Sequence, residues 1–278
     1  MPHTDAQGKD INMAIDTEHT LVDLQASSDP RGIDITKVGI RKLRYPIELA
    51  TRDNGPQLTT ALVNMYVSLD RSFKGTHMSR FVEVLNEHRR VLDIHDLRSL
   101  LTHVKDRLDA ADAYIELDFP FFLDRAAPVT GQVGLIAYDC RVSSRLCCDN
   151  HLHTTFGATV PVTTLCPCSK EISLYGAHNQ RSLVTLQWRC RQSIWLEEMI
   201  ERVEALGSAP IFSLLKRPDE KWVTEHAYDH PKFVEDVVRD ITGTMRADER
   251  ILWFRVESEN EESIHTHNAY ALIEEEAR

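Results

Sequence analysis

The feature that most constrains this chain is a change of hydrophobic period that occurs twice in the same order. Two strand-like runs come first, at about 37–50 (Val38, Ile40, Tyr45, Ile47, Leu49) and about 59–70. In the second, Val63, Met65, Val67 and Leu69 alternate with Leu62, Asn64, Tyr66 and Ser68. Period-two alternation marks a pleated strand with one buried face. Pro46 cannot donate to a ladder, so the first run is an edge or bent strand. Asp53-Asn54-Gly55-Pro56 marks the turn between the two runs. The period then lengthens. Met78, Phe81, Val82 and Leu85 form one helical stripe; Ile94, Leu97, Leu101, Val104 and Leu108 form another, with Asp93 in the N-cap position. Strands at about 112–123 and 131–146 close the first half.

The second half runs through the same order. Strands fall at about 151–164 and 181–191. Leu196, Met199, Ile200, Val203 and Leu206 make a helix face closed by Gly207. Pro231 opens a second helix bearing Phe233, Val234, Val237, Val238 and Ile241. Strands at about 250–258 and 267–274 follow. The order ββααββ thus appears twice without a visible repeat of residues. It predicts an α+β fold of tandem modules, 36–148 and 149–278, each an antiparallel sheet with helices on one face. Open antiparallel edges favour a closed, barrel-forming oligomer. Residues 1–35 are polar and aperiodic, as in a flexible arm.

Charge and leader signals bound the function. Asp plus Glu (43) exceed Lys plus Arg (32), a net charge of -11. That balance argues against non-specific nucleic-acid binding, although a local basic cluster can still hold a triphosphate. The first thirty residues lack the apolar run of a secretion signal, and no stretch approaches the length of a membrane span. The expected home is the cytoplasm, where thiols stay reduced. Cys140, Cys147, Cys148, Cys166, Cys168 and Cys190 are then buried, metal-bound or catalytic rather than disulfide-bonded.

The most chemically informative segment is Thr164-Leu-Cys-Pro-Cys-Ser-Lys-Glu171, followed by Gly176-Ala-His-Asn-Gln-Arg-Ser182. It occupies a loop between two predicted strands. Cys166 and Cys168 flank Pro167, and His178 lies ten residues after Cys168. Thiolate with imidazole suits zinc or a related divalent ion. A structural zinc site needs four protein ligands, and no second cysteine pair is nearby. A metal here would keep an open position for a water that it acidifies. On spacing alone, packing cysteines remain the commoner explanation. Lys216-Arg-Pro-Asp-Glu220 and Glu225-His226-Ala-Tyr-Asp-His230 form a polar stretch between two predicted helices, rich in possible ligands and bases, with a solvated loop as the alternative and the favoured reading for His226 and His230. Glu235 lies beside the apolar row of the Pro231 helix, either snorkelling or reaching a buried partner. His265 and His267 point the same way in an extended segment, where they bind a metal or phosphate or are ordinary surface residues.

The CPCSKE segment, its GAHNQRS partner and Tyr228-Asp-His-Pro-Lys-Phe-Val-Glu-Asp236 together resemble the hallmark segments of the prokaryotic type IB GTP cyclohydrolase family. The resemblance runs from about 36 to 275. It implies the tunnelling fold, assembled into a barrel-like homo-oligomer, a homotetramer. It implies hydrolysis of GTP to formate and 7,8-dihydroneopterin triphosphate, the first step of folate synthesis, with zinc, manganese or iron as cofactor. Carried over by motif position, Cys166, His178 and Glu220 would hold the metal, with Glu225 a neighbour competing for the last place. Cys168 would transfer protons during ring opening, since a thiol beside a cation deprotonates more readily. Either cysteine could exchange roles with the other. Glu235 would anchor guanine through its N1–H and exocyclic amine. His265 and His267 would lie at the ribose–triphosphate end, with Lys170 and Arg181 as candidate phosphate ligands. Two other readings compete: an NADPH-dependent nitrile reductase of queuosine synthesis on the same fold, and a non-enzymatic metal-binding scaffold that unfolds without its metal.

Overall fold

The structure, a computed structural model, describes residues 23–25, 27–88, 94 and 97–276. The first half contributes β1 (Ile35–Leu49), β2 (Gln57–Leu69), α1 (Met78–Glu87), α2 (Leu97–Leu108), β3 (Ala113–Ala126) and β4 (Val133–Leu146). The second contributes β5 (Leu152–Leu165), α3 (Pro167–Ile172), β6 (Asn179–Cys190), α4 (Leu196–Glu204), the two-residue β7 (Ala209–Pro210), α5 (Arg217–Asp229), α6 (Val234–Arg246), β8 (Ile251–Glu261) and β9 (Ala269–Glu276). All ladders are antiparallel, in the order β1-β2-β3-β4-β5-β6-β8-β9, with β7 against β5.

The alternation read from the sequence decides which face is covered. Val63, Met65 and Val67 of β2, Ile115 and Leu117 of β3, Val142 of β4, Val160 of β5 and Leu186 of β6 are buried in one continuous core with Phe81, Leu101, Ile200 and Ile241 of the helices. The opposite face is polar: Glu116, Asp118, Arg141 and Gln187 stand between those apolar positions. The sheet continues from β4 into β5 through the turn at 147–151, with Asp139 opposite Thr159 and Leu146 opposite Leu152. Among the described residues, β1 and β9 each pair on one side only. The edge placement expected from Pro46 therefore holds, and Pro46 sits opposite Thr60.

Three expectations need correction. The polar stretch around 216–230 is a helix, α5, rather than a solvated loop. Its N-terminus is closed by Asp219, which is fully buried. That carboxylate accepts from the N–H groups of Val129 (2.9 Å), Thr130 (2.8 Å) and Lys216 (2.9 Å) and from the Thr130 hydroxyl (2.7 Å). The last helix starts at Val234, not at Pro231, with Phe233 as its N-cap. The cysteine loop contains a short helix, α3, with Pro167 at its first position. The Asp93 cap lies outside the described residues, as does most of the 1–35 arm. Within that arm, Gln25 donates its side-chain amide to the Thr76 carbonyl (3.0 Å), and Ser28 bridges to Phe73.

Candidate active site

The chain leaves β5 at Leu165 and turns at once into α3. Cys166 is the N-cap of that helix, and its Sγ accepts from the Ser169 N–H at 3.4 Å. The sulfur thereby satisfies one of the backbone N–H groups that a helix leaves without an intrahelical partner at its start. Ser169 also stitches the loop, donating its hydroxyl to the Cys166 carbonyl (3.1 Å) and accepting from the His178 N–H (3.2 Å). The Cys166 N–H donates in turn to the His178 carbonyl (3.1 Å). Gly176, with φ of 113°, supplies a backbone conformation that side-chain-bearing residues rarely adopt. These contacts bring Cys166 and His178 side by side although twelve positions separate them in sequence.

Both residues line a pocket of about 280 Å³, together with Gln180, Lys232, Phe233, Glu235, Asn260, Glu262, His265 and His267. Glu235 is in the first turn of α6, where the helix dipole favours a carboxylate. His265 and His267 stack with ring centroids 5.2 Å apart. Behind the wall runs a buried polar chain. Ser182 donates to the Asn260 Oδ1 (2.5 Å) and shares a 2.7 Å hydrogen bond with Thr164.

Five of the residues singled out from the sequence thus meet here: Cys166, His178, Glu235, His265 and His267. Four do not line the pocket. Cys168 is exposed on α3. Lys170 donates to the Tyr228 carbonyl, with its ammonium 4.3 Å from the Tyr228 ring centroid. Arg181 is opposite Glu261 in the ladder, and strand alternation turns it away from buried Gln180 and Ser182. Glu220 is exposed on α5, because adjacent helical positions diverge by about 100° and Asp219 takes the buried one. Glu225, its neighbour in that reading, pairs with Lys221 at 2.6 Å. Among the described residues, no three His, Cys, Asp or Glu side chains are gathered closely enough to hold a metal ion. The thiol of Cys166 and the imidazole of His178 nevertheless form a donor pair suited to a borderline-soft divalent ion.

Sequence reasoning missed Gln180, Lys232, Phe233, Asn260 and Glu262. Gln180 was within reach of it: two positions after His178 in an extended segment that leads into β6, it shares that residue's face.

The sequence model of the family described as "Type I GTP cyclohydrolase folE2" matches residues 21–271. The chain belongs to that family. Its curated FolE2 relatives include "GTP cyclohydrolase FolE2" of Magnetococcus marinus, 54% identical over 91% of this chain and 96% of the relative. The protein of the same name from Syntrophobacter fumaroxidans is 51% identical over 91% and 99%. Among solved structures, urate oxidase of Bacillus sp. TB-90 superposes on this FolE2 family member with a TM-score of 0.54 at 9% identity, covering 88% of this chain and 100% of that one. Urate oxidase of Bacillus subtilis 168 gives 0.52 at 7% identity, covering 87% and 98%. At such identities the likeness is one of fold alone.

Proposed function

We propose that this FolE2 family member is a GTP cyclohydrolase. It hydrolyses GTP with one water to formate and 7,8-dihydroneopterin triphosphate, the first step of folate synthesis. The observation that carries the reading is the single pocket shared by Cys166, His178, Glu235, His265 and His267.

Glu235 supplies specificity. Its two carboxylate oxygens accept from guanine N1–H and the exocyclic amine, a donor pair that adenine does not present. Cys166 and His178 would hold a divalent metal (zinc, manganese or iron), with Glu220 as the third ligand implied by the family pattern. An ion held there would supply the Lewis acidity that makes a water nucleophilic at neutral pH. Cys168, two residues from Cys166, exchanges protons with the opening imidazole ring. His265 and His267 face the ribose and triphosphate. Lys170 and Arg181 are the nearby cations of the motif, and Lys170 reaches a phosphate oxygen only by leaving the Tyr228 carbonyl.

We infer further that residues 36–148 and 149–278 are two tunnelling-fold modules behind an N-terminal arm, working as a cytoplasmic homotetramer. Several features support assembly. Free edge β1 carries Lys37, Arg41, Lys42 and Arg44, and free edge β9 ends in Glu274, Glu275 and Glu276. Beside the pocket, Ile172, Leu174 and Tyr175 are 83, 94 and 99% exposed, and apolar groups displayed in that way mark contact surfaces.

The deciding assay incubates the protein with GTP and zinc or manganese, against a chelated control. Formate and pterin fluorescence after oxidation are the readouts. Metal-dependent release of both is expected. No product from a folded, metal-loaded sample would overturn the reading and favour the NADPH-dependent nitrile reductase.

A further inference from the structure

His178 does not reach the pocket unaccompanied. Its Nδ1 lies 3.4 Å from the hydroxyl oxygen of Ser263. Ser263 belongs to the loop between β8 and β9, the same loop that carries His265 and His267. Its neighbour Glu262 accepts from the Gln180 side-chain amide at 3.3 Å. Two consecutive loop residues therefore grip Gln180 of β6 and His178 just before that strand.

An imidazole has two inequivalent nitrogens. When one donates its proton to an oxygen, the other carries the lone pair that a metal needs, and the donor bond also fixes the ring plane. We propose that Ser263 is a positioning residue for His178: its hydroxyl oxygen accepts the Nδ1–H and leaves Nε2 as the ligand nitrogen. The other hydroxyl nearby, Ser169, is already committed to the Cys166 carbonyl and the His178 backbone N–H. It steers the main chain and leaves the ring to Ser263. The separation exceeds the roughly 2.9 Å of a typical N–H···O bond, and contacts of this kind shorten when a site is filled. One consequence is that metal affinity and the loop bearing His265 and His267 are coupled. This inference rests on the metal reading given above.

The test is cobalt(II) titration of metal-free full-length protein, as wild type, Ser263→Ala and Ser263→Thr. The readout is the thiolate-to-cobalt charge-transfer absorption, with a competing chelator to give affinities. Ser263 is exposed in its loop, so the apo variants should melt with the wild type. Loss of an outer-shell partner of this kind weakens metal binding roughly 10–100-fold. Ser263→Ala should show that loss, and Ser263→Thr, which keeps the hydroxyl, should restore affinity. Wild-type affinity in Ser263→Ala would overturn this inference alone. Absence of any cobalt–thiolate band in the wild type would overturn the metal reading and this inference with it.

Discussion

The backbone N–H of Phe233 donates to the Asp236 carboxylate at 3.0 Å, which closes the first turn of α6 with Glu235 inside it. Asp236 caps the helix, and Glu235 is left free to face the pocket. Glu235→Gln should therefore leave the melting temperature nearly unchanged. It should lower kcat/KM for GTP about 100-fold or more, since each hydrogen bond to a charged group contributes about 1.5–3 kcal/mol. Steady-state kinetics checks this, and near-wild-type turnover would remove Glu235 from guanine recognition.

Asp219 offers a prediction about pH. Burial pushes its carboxyl up, but the hydrogen bonds from Thr130, Lys216 and Val129 outweigh burial and hold it down to about 2. An unfolded aspartate titrates near 3.9. The depressed folded value means this contribution is fully present above about pH 4 and fades as pH falls towards 2. Asp219→Asn should lower the melting temperature by several degrees at pH 7, and the gap from wild type should narrow in acid. Melting curves from pH 7 to 3 decide it, a constant gap counting against the assignment.

Arg125, Tyr138 and Glu204 tie the two halves together beneath the surface. Arg125 of β3 donates to Glu204 at the end of α4 (2.9 Å), and the Tyr138 hydroxyl of β4 donates to the same carboxylate. The Arg125 and Glu204 side chains are only 17 and 11% exposed. Removing one member strands the other charge. Glu204→Ala should destabilise the protein by about 3 kcal/mol, as read from denaturant unfolding. A change below about 1 kcal/mol would assign the clamp a minor role.

The charges on the two free edges bear on assembly. Arg41→Glu together with Arg44→Glu places acid on β1, where the proposed partner edge is also acidic. Light scattering should then report a smaller species than the wild type. An unchanged molar mass would show that β1 does not take part in assembly.

Legibility in the sequence followed the strength of the hydrophobic period. β2 was readable because Val63, Met65 and Val67 are buried while Leu62 is 40% exposed. α5 was not, because it buries only Asp219 and Ala227 and so shows no apolar stripe. α3 is too short to show a period at all. At the site, Cys166, His178 and Glu235 stood out by residue type and motif. Which of two adjacent acids, Asp219 or Glu220, turns inward depends on helix phase, and that was hidden once the segment read as a loop. Glu262 and Ser263 come from a loop whose path is set by tertiary contacts, which leave no local pattern to read.

The unbroken passage of the sheet from β4 to β5 has a consequence for how the protein would come apart. A protease nicking the exposed turn at Cys148–Asp149 would cut the covalent thread between the halves without cutting the ladder. Asp139–Leu146 would stay zipped to 152–159, and the Arg125–Glu204 clamp would still span the cut. The nicked protein should migrate as one particle under native conditions and as two fragments only in denaturant, behaving as a single cooperative body rather than as two beads on a string.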